Sequence, residues 1–181
     1  MTLPPSLRIL INSIRTKPIV ELYLHDNAFG PIGVEQFQDF LVEATNLKVL
    51  SVTNCGLGPE ASKTIAESLL ANENTKLEKL CISRSRVEDK GAIALSSYFD
   101  SYDGLTHLEI SQNGIRRDGM TPLIESLRKH PSLATLNLSD NYIDAEESQA
   151  ALFALLTESE ALSVLDISSS NFDKEDEDTN G

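Results

Sequence analysis

The chain has 181 residues, and 40% of them are apolar, which is enough to bury a continuous core. Fifteen lysines and arginines stand against 28 aspartates and glutamates, so the formal net charge at pH 7 is −13. A body this acidic is repelled by phosphodiester backbones and by anionic membranes. We therefore exclude nucleic acid and membrane surfaces as partners, and we expect a protein partner with basic character.

The cysteines and the N-terminal segment predict the cellular compartment of the protein. Cys55 and Cys81 are the only two cysteines, which is no disulfide framework and is typical of a reducing compartment. No apolar run approaches the roughly 20 residues of a membrane helix. The N-terminal segment has prolines before an amphipathic stretch, unlike a secretory signal. The sequence predicts a soluble, intracellular protein.

The first predicted element is a helix from Leu7 to Ile14, which precedes the first strand of the chain. Terminal units of repeat proteins normally present a polar outer face. This helix does not, so we expect its apolar flank to be exposed or covered by another segment.

Six copies of one pattern, L-x-x-L-x-L-x-x-(N/C/S)-x-L, follow this helix. We call the N/C/S residue of each copy the ladder position; it is filled by Asn27, Cys55, Ser85, Asn113, Asn141 and Ser170. Successive ladder positions are 28, 30, 28, 28 and 29 residues apart, which is too regular for chance. The pattern is typical of a leucine-rich repeat of the long, helix-bearing type. It predicts an α/β horseshoe with a parallel concave sheet and convex helices: one domain over 1–172, then an acidic disordered tail over 173–181.

Each copy predicts a strand, a turn and a helix. The L-x-L segment alternates inward and outward as a short strand does, and its outward residues line the concave sheet. These outward residues are Tyr23, Ser51, Cys81, Glu109 and Asn137. Glycine-proline pairs at Gly30 and Gly58 close the turns, and apolar residues at helical spacing follow them.

The ladder residue lies where the turns of successive repeats stack, so its side chain must satisfy buried backbone groups. Asparagine does this best because its carboxamide both donates and accepts hydrogen bonds. Cys55 and Ser85 have less capacity. We therefore expect a looser ladder around these two residues.

No constellation for catalysis is present in the sequence. His25, His107 and His130 fall in different repeats without metal-binding spacing, and two cysteines do not complete a zinc site with them. We interpret the three histidines as surface residues. The stretch 56–64 resembles a phosphate loop but has Ser62 where the glycine before Lys63 is needed. The sequence predicts a binding surface, with no metal and no cofactor.

The informative surface is the edge of the horseshoe. We call the residue directly before each ladder position the rim row; it comprises Asp26, Asn54, Arg84, Gln112, Asp140 and Ser169. These positions are expected to be free of structural duty, and with Arg86, Arg116 and Arg117 they form an edge that runs from acidic to basic. Two alternatives stay open: the charges are merely solvated, and Asn54 merely caps its own turn.

Four segments resemble the Ran GTPase-activating proteins, in the order and repeat register of that family. They are Leu24-His-Asp-Asn-Ala-Phe-Gly-Pro31, Asn54-Cys-Gly-Leu-Gly-Pro59, Arg84-Ser-Arg-Val-Glu88 and Gln112-Asn-Gly-Ile-Arg116. The acidic residues after Phe172 are similar to the start of that family's acidic tail. The resemblance covers about residues 5 to 178 and identifies a truncated or divergent member.

This resemblance implies that the chain is not an enzyme itself but speeds GTP hydrolysis on the small GTPase Ran in its GTP form. It assigns to Asn54 the family's asparagine, which holds Ran's catalytic glutamine so that the glutamine orients the attacking water. The residues that it implies as partner contacts are Asp26, Arg84, Arg86, Gln112 and Arg116. It also implies a cytoplasmic location, with the nuclear periphery left open.

One departure from the family separates the two functional hypotheses. An arginine that matters in the family precedes a helix resembling residues 5–12, and neither Arg8 nor Arg15 takes its place. The alternative hypothesis is therefore a leucine-rich repeat interaction module that does not stimulate GTP hydrolysis.

Overall fold

The computed structural model describes residues 6–172. Its helices are α1 (Ser6–Ile14), α2 (Gly30–Glu43), α3 (Gly58–Leu70), α4 (Glu88–Ser101), α5 (Arg117–Leu127) and α6 (Glu146–Glu158). Its strands are β1 (Glu21–Tyr23), β2 (Val49–Ser51), β3 (Lys79–Cys81), β4 (His107–Glu109), β5 (Thr135–Asn137) and β6 (Val164–Asp166). The predicted acidic tail over 173–181 lies outside the described residues.

The strands form one parallel sheet in chain order, from β1 to β6. Their register aligns the central leucine of every strand with that of its neighbours: Leu22, Leu50, Leu80, Leu108, Leu136 and Leu165. Parallel neighbours need a crossover connection, and a helix supplies it in each repeat. The predicted leucine-rich repeat solenoid is confirmed.

The core lies between the sheet and the helices. The central leucines of β2 to β5 are fully buried, and they pack with apolar helix residues such as Phe37 and Leu41. The first and third residues of each strand lie on the opposite side of the sheet, which we call the open face. Two residues predicted to face outward there, Ser51 and Cys81, are only 5% exposed. They face outward as predicted, but their small side chains are buried at the surface of the sheet.

Two ladder asparagines, Asn113 and Asn141, bind backbone groups of two repeats, whereas Asn27 donates, over residues 6–172, only to carbonyls of its own repeat. Asn113 accepts hydrogen bonds from the N–H groups of Ser85 and Val87, and it donates to the carbonyls of Ile82 and Ile110. Asn141 repeats this arrangement one unit later.

Cys55 and Ser85 make fewer of these bonds, as predicted. The Cys55 thiol lies 3.0 Å from the Leu24 carbonyl, and the Ser85 hydroxyl donates to the Val52 carbonyl at 2.9 Å. The Ser85 hydroxyl accepts no backbone N–H of the preceding repeat within residues 6–172, whereas Asn113 accepts two.

Side chains on neighbouring helices also connect the repeats. The Asp89 carboxylate accepts hydrogen bonds from the backbone N–H groups of Arg116 (2.7 Å) and Gly119 (3.1 Å), so α4 caps the start of α5. A Cβ at Gly119 would lie 2.6 Å from the Cα of Asp89, which explains the glycine at this contact.

The two ends of the described solenoid expose apolar side chains. On α1, the side chain of Ile9 is 61% exposed, as expected for its uncovered flank. Val164 on the last strand and Phe153 on α6 are also exposed. Over residues 6–172, every helix is too short or too polar to cross a membrane.

Candidate partner-binding rim

All six rim-row residues adopt the left-handed backbone conformation, with φ between 53° and 61°. Asparagine and aspartate tolerate this conformation better than other non-glycine residues, because their short side chains hydrogen-bond locally. Three of the six, Asp26, Asn54 and Asp140, are of these types. The expectation that the rim row is free of structural duty was wrong for its backbone.

The backbone of the rim row joins successive repeats. The N–H groups of Asp26, Asn54 and Arg84 donate to carbonyls of the next repeat, on Thr53 (3.0 Å), Ser83 (2.9 Å) and Ser111 (2.9 Å). The backbone is thus held while the side chains remain at the edge of the sheet. This arrangement presents a row of side chains on a hydrogen-bonded backbone.

The central contact of the rim row is between Asn54 and Asp26. The Nδ2 of Asn54 donates to Oδ1 of Asp26 across the repeat boundary at 2.8 Å. Asn54 therefore lies outside the ladder, as predicted, and its side chain does not cap its own turn. The alternative that Asn54 serves only its own turn was wrong.

This contact also fixes which end of the carboxamide faces Asp26. The hydrogen bond from Asn54 and a second one from His25 at 2.9 Å lower the pKa of Asp26 below its usual range. The carboxylate is ionised at neutral pH and only accepts, so the NH₂ group must face it. Within residues 6–172, Oδ1 of Asn54 has no hydrogen-bond donor, and it is left as an acceptor for a partner.

The two arginines of the third repeat extend this site. Arg84 and Arg86 are exposed, and neither forms an ion pair within the described part of the chain. Arg84 lies close enough for its charge to add a small lowering of the pKa of Asp26. These guanidinium groups can bind carboxylates of a partner.

Arg86 occupies a position where glycine is favoured. Its φ is 56°, and the same position in the flanking repeats is taken by Gly56 (63°) and Gly114 (66°). A non-glycine residue costs roughly 1–2 kcal/mol in this conformation. Such strain is concentrated at functional sites, which favours a binding role for Arg86.

The C-terminal part of the predicted site is less available. Gln112 is exposed, but the Arg116 guanidinium lies 4.4 Å from the centre of the Tyr142 ring in a cation–π contact. Arg117 is paired with Glu147 at 2.6 Å. The basic edge inferred from four arginines is therefore concentrated at Arg84 and Arg86.

The histidines differ from the expectation in part. His25 is exposed, but His130 is 3% exposed and packs against Phe99. Burial lowers the pKa of His130, so it is held neutral in the core. The interpretation of His130 as a surface residue was wrong.

A cluster of polar side chains on the open face was not predicted from the sequence. The side chains of Cys81, His107 and Glu109 place one potential ligand atom each within 4.8 Å of one another. Burial, with a contribution from Glu109, raises the pKa of Cys81 to about 12, so its thiol is not a reactive nucleophile at neutral pH. The alignment of the repeats could have predicted this cluster, because Cys81 and Glu109 occupy the same position in successive strands.

The comparisons with known proteins agree with this architecture. The model of the Leucine Rich repeat family matches residues 43–66 and 73–96. The chain is a leucine-rich repeat protein. A solved structure, Leiomodin-1 Actin-Binding Site 2, superposes with a TM-score of 0.63 at 14% identity, covering 87% of this chain and 90% of that one. This likeness concerns the fold alone.

Two relatives share sequence with most of this leucine-rich repeat protein. It is 32% identical over 172 residues to Ran GTPase-activating protein 1 of Saccharomyces cerevisiae, a match that covers 90% of the chain and 42% of the relative. It is 29% identical over 154 residues to human Capping protein, Arp2/3 and myosin-I linker protein 3, covering 82% of the chain and 11% of the relative. The resemblance to the Ran GTPase-activating proteins is confirmed, and the chain spans less than half the length of these relatives.

Proposed function

We propose that this leucine-rich repeat protein binds a Ran-type small GTPase in its GTP form and speeds hydrolysis by the GTPase. The similarity to the yeast Ran GTPase-activating protein extends over 90% of the chain and supports this partner. The observation that carries the proposal is the carboxamide of Asn54, which Asp26 orients at the rim with its oxygen unoccupied within residues 6–172. The chain acts as a regulator in the cytoplasm and holds no GTPase chemistry of its own.

The chemistry of one hydrogen bond explains how such a residue would accelerate hydrolysis. The GTPase's own glutamine must orient the attacking water, and a freely rotating glutamine does so only part of the time. Oδ1 of Asn54 accepts a hydrogen bond from the glutamine's NH₂ group. The glutamine's carbonyl oxygen then stays available to the water, and the rate rises because the reacting groups are held in position.

The arginines serve binding in this proposal. Arg84 and Arg86 contact acidic side chains on the switch regions of the GTPase, while the net charge of −13 attracts a basic partner over longer distance. Gln112 adds a polar contact. Arg116 contributes its outer edge, because its inner face already lies on Tyr142.

Single-turnover hydrolysis by GTP-loaded Ran, with and without the full chain, tests this proposal. We expect acceleration by the wild type and a loss of about 100-fold in that acceleration for Asn54→Ala, the size of effect that a misplaced reacting group produces. The matched control is Asp140→Ala, which alters an exposed rim-row residue with the same backbone conformation (φ 53°) but outside the proposed contact. It should leave the rate unchanged.

Binding measured in parallel decides between the two functional hypotheses. Ran binding with no acceleration would contradict the proposal and favour the interaction module. The human linker protein with 29% identity shows that related repeats occur outside the Ran activators. Acceleration that survives Asn54→Ala would contradict the role of Asn54 alone.

A further inference from the structure

The Cys81, His107 and Glu109 cluster lies apart from the rim row, on the open face of the sheet. His107 and Glu109 are the first and third residues of β4, so their side chains leave the sheet on the same side. Cys81 is the third residue of β3 and is the direct parallel partner of Glu109. Three chemically different ligands thus project from two adjacent, hydrogen-bonded strands.

The distances are compatible with one metal ion. The three potential ligand atoms lie within 4.8 Å of one another, and Nε2 of His107 is 2.6 Å from Oε1 of Glu109. Two atoms bound to the same zinc ion are at most roughly 4.4 Å apart, the sum of a zinc–sulfur and a zinc–nitrogen or zinc–oxygen bond. The Glu109 carboxylate already contacts both His107 and Cys81, so the adjustment that remains falls to the side chains of Cys81 and His107.

We propose that Cys81, His107 and Glu109 form a binding site for a zinc-type transition-metal ion on the open face. A thiolate and an imidazole favour such ions over Mg²⁺ and Ca²⁺, which require several oxygen ligands. Three protein ligands leave one coordination position for water or for a side chain of a partner. The inference does not depend on the proposed function.

When the metal binds, it takes the place of the thiol proton of Cys81 and displaces the ammonium group of Lys79. Zn²⁺ forms a bond to sulfur as the thiol proton of Cys81 passes to solvent, and no atom changes its oxidation state. The proton that Nε2 of His107 shares with Glu109 passes to solvent while Nδ1 carries a proton, so that the neutral imidazole and the Glu109 carboxylate each form a bond to the metal. Lys79, whose ammonium lies 3.4 Å from Oε1 of Glu109, must withdraw because it would repel the cation.

The site is open on the side from which a metal would enter. The side chains of His107 and Glu109 are 24% and 38% exposed, and that of Lys79 is 34% exposed. Cys81 lies beneath them and is 5% exposed. The thiol is thus the innermost ligand, and the polar groups above it face solvent.

Cobalt is the probe for the test, because a cysteine thiolate bound to Co²⁺ gives an absorption band that carboxylates and histidines do not produce. We expect the reduced full chain to bind one equivalent of Co²⁺ with this band and to lose the band on addition of Zn²⁺. Cys81→Ser should abolish the band. His107→Gln and Glu109→Gln should each weaken binding by at least about 10-fold.

Two further variants separate a metal site from general effects on folding or charge. His25→Gln removes an exposed histidine that also contacts a carboxylate, and it should leave Co²⁺ binding unchanged. Lys79→Gln removes the competing ammonium and should tighten binding by about 10-fold, a gain that a damaged fold would not give. No band in the wild type, or a band that survives Cys81→Ser, would overturn the proposal and leave only an ion-pair network.

Discussion

The four central ladder positions form two halves, Cys55 with Ser85 and Asn113 with Asn141, which satisfy the backbone to different extents. Asn113 and Asn141 each bridge two repeats, because they accept N–H groups of the preceding turn and donate to carbonyls of that repeat and of their own. The Ser85 hydroxyl only donates within residues 6–172, and the Cys55 sulfur is a weak hydrogen-bonding group. The proposed partner-binding residues Asn54, Arg84 and Arg86 stand beside this weaker half.

This difference shows that the ladder and the rim row have separate roles in each turn, one in stability and the other in binding. The ladder residue determines how firmly a turn is held, and its neighbours determine what the turn can bind. Proteins retain locally strained or less satisfied segments where function requires them. We infer that the second and third repeats combine lower local stability with the binding surface, while the fourth and fifth repeats support it.

Removing a ladder asparagine should give the largest effect. Asn113→Ala deletes four hydrogen bonds to backbone groups, all of them buried. Unfolding in urea should show a loss of about 3–4 kcal/mol, since each buried partner left unsatisfied costs about 1 kcal/mol. Ser85→Ala is the matched change in the weaker half and should cost about 1 kcal/mol. Equal losses at the two positions would contradict the comparison.

Giving the weaker half an asparagine should reverse the difference. In Ser85→Asn the new carboxamide oxygen can accept the N–H groups of Cys55 and Leu57, as Asn113 does for Ser85 and Val87. We expect the free energy of unfolding to rise by about 1 kcal/mol, measured by urea denaturation with an unchanged slope. The reciprocal variant Asn113→Ser is the control and should lose stability. A loss in both variants would mean that the third turn lacks room for the larger side chain.

The spacing of the repeats was sufficient to predict the fold. Because ladder positions recur every 28 to 30 residues, the register of the strands and the burial of their central leucines follow from the pattern. The position of Asn54 outside the ladder followed in the same way. The conformation of the rim row did not, because Arg84 and Gln112 are poor indicators of a left-handed backbone.

The side-chain contacts between repeats could not be predicted from the sequence. The bond from Asn54 to Asp26 spans 28 residues and depends on side-chain orientation, and Arg117 is neutralised by Glu147 over 30 residues. The cluster around Cys81 was overlooked for a related reason. Histidines and cysteines were compared along the chain, whereas the sheet places Cys81 and Glu109 side by side.

Substitution of Arg86 should give the smallest change in the free energy of unfolding, and it tests directly whether stability and function are coupled. Arg86→Gly relieves a left-handed conformation that costs roughly 1–2 kcal/mol, and the added freedom of the unfolded chain offsets about 0.4–1 kcal/mol of that gain. The free energy of unfolding should therefore rise by roughly 0.5 kcal/mol, measured in urea. Stimulation of GTP hydrolysis should fall in the same protein.

The reciprocal substitution tests whether this strain contributes to binding only in the third repeat. Gly114→Arg places the same side chain in the same backbone conformation one repeat later, where φ is 66°. It should lower the free energy of unfolding by a similar amount without strengthening GTPase stimulation. If Arg86→Gly gained stability and kept full stimulation, the arginine would have no binding role, and the strain in the third turn would need another explanation.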